Sequence, residues 1–121
     1  GQLWCVFGCG GDRDAAKRPL MGAVAQQHAD QVVVTSDNPR SEDPAAILHQ
    51  ILQGTIAGRT VRAEVDRAAA IRMALQEAAP ADVVLIAGKG HEETQETAGV
   101  RVPFSDMAHA QSALDARGDR P

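Results

Sequence analysis

Four short apolar runs punctuate the chain: "LWCVFG" at 3–8, "QVVVT" at 31–35, "TVRAEV" at 60–65 and "DVVLIAG" at 82–88. The first, second and fourth are almost continuous, the pattern of strands buried on both faces of a parallel sheet. The third alternates apolar with polar, which places it nearer an edge. Between the runs the spacing changes to that of helices. Residues 19–29 open with Pro19, suited to a first helical turn. Residues 43–54 offer Asp43 as N-cap, Pro44 at the first position and Gly54 as a stop. Residues 66–80 start at Asp66, carry Ala70, Ile71, Ala74, Leu75 and Ala78 on one face, and end before Pro80. Residues 105–118 cap with Ser105 and stop at Gly118. The predicted order is β-α-β-α-β-α-β-loop-α, which means an α/β fold with a doubly wound, mostly parallel sheet and helices on both faces. The last residues, "RGDRP", read as a frayed tail.

Bulk properties narrow the function. The 121 residues fit one domain with a modest core. The net charge is −4, from 12 basic and 16 acidic residues in scattered positions, which argues against nucleic acid as a partner. No apolar run approaches the length of a membrane span. The start, "GQLWCVF", has no signal-peptide pattern, and its lack of Met suggests that residue 1 is not the native start. Cys5 and Cys9 lie four apart with no Cys-x-x-Cys, so reduced thiols in the cytoplasm are expected rather than a metal site.

In open parallel sheets, ligands bind beyond the carboxyl ends of the strands. "GCGGDRDAAKR" (8–18) follows the first run, "SDNPRSED" (36–43) the second and "GKGHEETQ" (88–95) the fourth. All three are rich in glycine and charge, and the topology brings them to one edge. Pro39 fixes its own φ and biases Asn38 toward an extended conformation, so the middle loop is stiff where it turns. Arg13 and Arg40 can grip carboxylates or phosphates in bidentate geometry. Glu92 and Glu93 can accept from an ammonium, and Asn38 can donate or accept. Cations and anions on facing loops suit a zwitterion, such as an amino acid, better than a polyphosphate.

Competing readings of these loops are weaker. A dinucleotide fingerprint would need glycine where Arg13 stands, and a Walker A loop would need Gly-Lys-Ser/Thr, absent around Lys89 and at 54–60. His91 is read as orienting its loop, with a base or metal ligand as the alternative. Asp12 and Asp14 either serve a ligand or satisfy loop amides. His28, His49 and His109 fall on helices as ordinary surface or boundary residues. Lys17 and Arg18 flank a helix start. Met21, Met73 and Met107 read as core filler.

Taken together, "VFGCGGDRDAAKRPLMG" (6–22), "TSDNPRSEDP" (35–44) and "AGKGHEETQ" (87–95) closely resemble the C-terminal domain of the Mur ligases. Within that family the Asp-Asn-Pro-Arg tetrad is similar to that of the branch adding meso-diaminopimelate, as opposed to lysine. The likeness covers essentially the whole chain, with order and spacing intact. It implies a Rossmann-like domain in peptidoglycan synthesis that selects and positions the incoming amino acid. It also implies site residues Arg13, Asp37, Asn38, Pro39, Arg40, Gly88 and Glu92. Arg40 and Asn38 would hold the far carboxylate of diaminopimelate, the Gly88 carbonyl and Glu92 the far amine, and Arg13 the carboxylate beside the attacking amine.

The resemblance further implies an ATP-dependent reaction through an acyl phosphate on a UDP-N-acetylmuramoyl dipeptide. The UDP-sugar domain and the domain binding ATP and Mg2+ are absent from these 121 residues, as are the family's first strand and helix of this domain. The expectation is therefore an N-terminally truncated domain over 1–121, with no catalytic residue, metal or cofactor of its own and inactive alone. The alternatives are a stand-alone amino-acid-binding module and a Mur-type ligase for another amino acid.

Overall fold

The computed structural model describes residues 1–58, 60–89 and 92–117. His91 and the tail at 118–121 lie outside the described residues. In chain order the elements are β1 (Leu3–Phe7), α1 (Lys17–His28), β2 (Gln31–Val34), α2 (Pro44–Leu52), β3 (Val61–Ala63), α3 (Arg67–Glu77), β4 (Val83–Ile86), β5 (Thr94–Thr97), β6 (Val100–Pro103) and α4 (Asp106–Arg117). The strands β3, β2, β1 and β4 form one parallel sheet in that order. Val6 lies opposite Val33 on one side and Ile86 on the other, so the carboxyl ends of β1, β2 and β4 come out level.

Capping and burial explain the helices. Asp43 accepts from the Ala45 N–H, Asp66 from the Ala68 and Ala69 N–H groups, and Ser105 from the Ala108 N–H. The expected face of α3 is the observed one: Ala70, Ile71, Ala74, Leu75 and Ala78 are buried. They pack with Trp4, Val6 and Val33 of the sheet and with Phe104 and Ala113 beside and on α4. On the opposite face Phe7, Val32 and Val34 pack against Ile47, Leu48 and Ile51 of α2, with Ala25 of α1 alongside. Alternate residues of each strand thus feed two cores, one per face.

Three expectations need correction. The run at 82–88 is not buried on both faces: Val83 is 62% and Leu85 50% exposed. β4 is an edge strand, and α1 lies over the sheet nearer β2 and α2, short of β4. A continuous apolar run does not reveal whether its own chain covers the second face. Met21 and Met107 are 45% and 80% exposed: Met21 touches the buried Cys9 thiol through its sulfur but otherwise borders open grooves, Met107 faces solvent, and Met73 packs against a core. The stretch read as a loop before α4 contains the antiparallel hairpin of β5 and β6, joined through Ala98 (φ 53°) and Gly99 (φ 77°). Two positive φ values in succession make the tight, strand-compatible hairpin turn. β5 is polar, and the Val-Arg-Val alternation of β6 is short and exposed on both faces, so no buried apolar run announces the hairpin.

Arg67 ties the site end of the sheet together. It is 1% exposed and forms a bidentate pair with Asp106 at 2.8 Å. The same guanidinium donates to the carbonyls of Ser36 (3.0 Å) and Ala87 (3.1 Å), at the exits of β2 and β4. One buried cation thereby fixes where two loops begin.

Candidate functional site

The glycines of the first loop serve close packing of backbones. A Cβ on Gly11 would stand 1.8 Å from the Pro39 carbonyl oxygen, and one on Gly8 2.2 Å from that of Thr35. The loop therefore lies flat on the segment following β2, and the Gly11 N–H donates to the Asn38 carbonyl at 2.7 Å. These glycines face protein, which removes the phosphate-cradle reading. Asp12, at φ 56°, accepts from the N–H and hydroxyl of Ser41, and Asp14 accepts from the Ala16 N–H. Both carboxylates are thus engaged within the loops.

In the second loop, Arg40 holds a left-handed backbone (φ 53°), an uncommon state for a residue with a side chain. The hairpin keeps it there: the Arg40 N–H donates to the Glu96 carbonyl, and the Ala98 N–H to the Arg40 carbonyl. Arg40 Nη1 donates to the Gly11 carbonyl at 3.0 Å and reaches that of Asn38 at 3.5 Å. Its Nη2 and Nε have no acceptor among the described residues, leaving the outer edge of the guanidinium open to an anion. Pro39 is fully buried beneath the first loop.

The third loop completes the cluster. Asn38, 8% exposed, donates through Nδ2 to Glu92 Oε1 at 3.1 Å. Its Oδ1 accepts from Lys89 Nζ at 3.2 Å and from the Glu96 N–H at 2.9 Å. Asp37 Oδ1 lies 3.3 Å from Lys89 Nζ, an ion pair by distance but not aligned as a hydrogen bond. Gly88 adopts φ 109°, open only to glycine at no cost.

Six of the seven expected residues fall into two neighbouring cavities. Arg13, Asp37 and Gly88 line one of about 390 Å³, together with Lys17 and Arg18. Asn38, Arg40 and Glu92 line another of about 250 Å³, with Thr94, Glu96 and Arg101 of the hairpin. Adjacent residues Asp37 and Asn38 straddle the two. Arg13 and Arg40 both approach Gly10: a Cβ there would sit 2.8 Å from Arg40 Nη1 and 3.5 Å from Arg13 Cγ. Arg13 itself is exposed and makes no hydrogen bond or ion pair among the described residues. Pro39 lines neither cavity. A larger groove of about 500 Å³ runs between α1 and β4, lined by Cys5, Phe7, Leu20, Met21 and Val24, and lacks the converging charges of the other two.

Sequence reasoning missed Lys89, Glu96 and Arg101. Lys89 sits between two glycines and carries no apolar neighbour to signal burial, and the hairpin residues have no chemical signature of their own. It also placed Arg18 as a helix flank. Arg18 does stand in the first turn of α1, yet it is 1% exposed and binds the Glu42 carboxylate through both terminal nitrogens (3.0 and 2.9 Å). It also donates to Gln50 (2.8 Å) and the Gly10 carbonyl (2.9 Å). Hydrogen bonding from Arg18, joined by the Asp12 N–H, holds the Glu42 carboxyl down at about 2. Burial raises both thiols, Cys5 and Cys9, and so disfavours the reactive thiolate.

Residues 1–90 match the family of the Mur ligase, glutamate ligase domain. The chain is 75% identical over 118 residues to a UDP-N-acetylmuramoyl-L-alanyl-D-glutamate--2,6-diaminopimelate ligase of Acidovorax sp. (strain JS42), covering 98% of this chain and 24% of that relative. It is 60% identical over 121 residues to the protein of the same name from Chromobacterium violaceum, covering 100% of this chain and 24% of that one. A solved structure of a UDP-N-acetylmuramoyl-L-alanyl-D-glutamate--2,6-diaminopimelate ligase superposes with a TM-score of 0.92 at 48% identity, over 99% of this chain and 25% of that one. The chain thus spans about a quarter of the length of the relatives it matches. Over that quarter, with its loops meeting at one edge of a parallel sheet, the chain belongs to the Mur ligase family.

Proposed function

We propose that this chain is the amino-acid-selecting domain of an ATP-dependent ligase that joins meso-diaminopimelate to UDP-N-acetylmuramoyl-L-alanyl-D-glutamate in the cytoplasm. The observation that carries the reading is the open edge of Arg40, set beside Asn38 and Glu92 in one small polar cavity. A carboxylate meets the guanidinium and the Asn38 amide, while an ammonium on the same carbon meets Glu92 and reaches toward the carbonyl of Gly88, which lines the adjoining cavity. Arg13, beside Asp37 in the adjoining cavity, receives the second carboxylate next to the attacking amine. The chain's own work is to bind, orient and select.

ATP and magnesium do not fit the residues present. The glycine-rich loop is packed on protein backbone, and no group of three His, Cys, Asp or Glu among the described residues is placed to hold a metal ion. In this reading both belong to the three quarters of the ligase outside this chain, as does the UDP-linked substrate. The exposed edge of β4 and the apolar groove beside α1 suit an adjoining segment of that ligase.

Selectivity follows from the same geometry. Lysine lacks the far carboxylate and would leave the Arg40 outer edge unpaired. Arg40 is only half-buried and keeps its bond to Gly11, so the low end of the cost of breaking a buried pair applies, about 100-fold discrimination. Calorimetric titration of the full-length ligase with meso-diaminopimelate and with lysine tests this. Wild type is expected to prefer diaminopimelate about 100-fold or more, and Arg40→Asn to lose most of that preference. An Arg40→Asn variant that discriminates as wild type does would sink the reading.

A further inference from the structure

Lysine is among the side chains rarely found fully buried, yet that of Lys89 is 0% exposed. Its ammonium is surrounded by Asn38 Oδ1 (3.2 Å), the Thr94 carbonyl (2.9 Å) and Asp37 Oδ1 (3.3 Å), with Glu92 Oε1 farther off at 3.8 Å. The expected roles of the loop leave this residue without a task.

An asparagine amide has one accepting and one donating end of nearly equal size, and its neighbours decide which end faces a cavity. Around Asn38 the decision is made by two donors on the oxygen: Lys89 Nζ and the Glu96 N–H. Nδ2 is consequently turned toward Glu92 and the cavity it shares with Arg40. A flipped amide would set its NH2 against an ammonium and a backbone N–H, facing buried donors with donors. At 3.8 Å the contact with Glu92 is loose, so that carboxylate stays available to a ligand ammonium.

Building on the site reading above, we infer that Lys89 is a positioning residue for amino-acid recognition: it locks the Asn38 amide with its N–H groups toward the cavity, so that Asn38 and Arg40 meet one carboxylate together. The lysine touches no substrate; it acts through Asn38.

The test is a double-mutant cycle in the full-length ligase, read as KM for each substrate and kcat. Lys89→Met is expected to raise the KM for meso-diaminopimelate about tenfold, as loss of a charged hydrogen-bond donor would. The KM for ATP and for the UDP-linked dipeptide, and kcat, should stay within about twofold, the size of ordinary neutral substitutions. Lys89→Arg, which keeps a charged donor, should recover most of the loss. In an Asn38→Ala background Lys89→Met should add nothing, because the group it positions is gone. Effects that multiply in the double variant, or a defect spread across all substrates and kcat, would overturn the positioning role. Should thermal unfolding show that Lys89→Met does not fold, Lys89→Gln carries the same cycle, since its shorter neutral amide falls short of Asn38. Failure of the parent reading looks different: Asn38→Ala and Arg40→Asn would then leave the diaminopimelate KM unchanged. A loss in those two variants with none from Lys89 would overturn the positioning role alone.

Discussion

Arg18 and Glu42 are separated by 24 residues, yet together they keep the first and second loops in register. The guanidinium grips the carboxylate from within the fold while also holding the Gly10 carbonyl, and Glu42 in turn receives the Asp12 N–H. Because the folded state holds Glu42 at about 2, below its ordinary 4.5, the pair stabilises the fold fully above about pH 4.5. That contribution is lost as the pH falls toward 2. Glu42→Gln should accordingly melt below wild type at neutral pH, with the gap closing between pH 4.5 and 2. Melting curves across that range check it, and a gap that is constant or widens in acid would contradict the linkage. The charge types of these residues were readable in the chain, but their pairing was not. Position 18 looks like any basic residue at a helix start until the second loop folds over it.

Among the elements, the hairpin of β5 and β6 departs most from expectation. It adds little apolar burial, since β6 is exposed along its length. What it adds is the clamp on the Arg40 backbone through Glu96 and Ala98, and Arg101 at the cavity wall. Ala98 holds φ 53° without being glycine, at a cost of roughly 1 kcal/mol. Ala98→Gly should relieve that strain and stabilise by about 0.5–1 kcal/mol, partly offset by the greater freedom of glycine when unfolded. Urea unfolding gives the stability, and slower hydrogen exchange at the Arg40 N–H should accompany the gain. A destabilised variant with faster exchange there would show that the turn is not under strain. The strands that form the sheet were legible because burial on at least one face demands apolar residues. A hairpin held by backbone hydrogen bonds to a loop makes no such demand, and its traces in the sequence, the "AG" at 98–99 and the short Val-Arg-Val alternation after it, are too brief to stand out.

For the molecule as a whole, the exposed side of β4 is the feature that bears on its behaviour. Val83 and Leu85 face the same side as Leu3 and Cys5 by register, and Leu20 and Val24 of α1 border the same groove at 65% and 55% exposure. An open parallel edge beside apolar surface favours association between copies. The isolated 121-residue chain should therefore self-associate at high concentration. Leu85→Lys, at a half-exposed position, should reduce association with less than about 1 kcal/mol of lost stability. Sedimentation velocity would show it, and a wild-type chain that stays monomeric at high concentration would remove the basis for the claim.

By itself the amino-acid sequence determined the alternation of helices with the strands of the main sheet, the three side-chain N-caps Asp43, Asp66 and Ser105, the apolar face of α3 and the three loops that carry charge. Each depends on local preference or on periodic burial, and both are written along the chain. The tertiary structure alone decided which groups face one another: Lys89 behind Asn38, Glu42 on Arg18, the hairpin against Arg40, and β4 left at the edge. Those outcomes depend on contacts between residues far apart in the chain. A hydrogen bond specifies the distance and direction of its partner, and no spacing along a single strand of sequence encodes either.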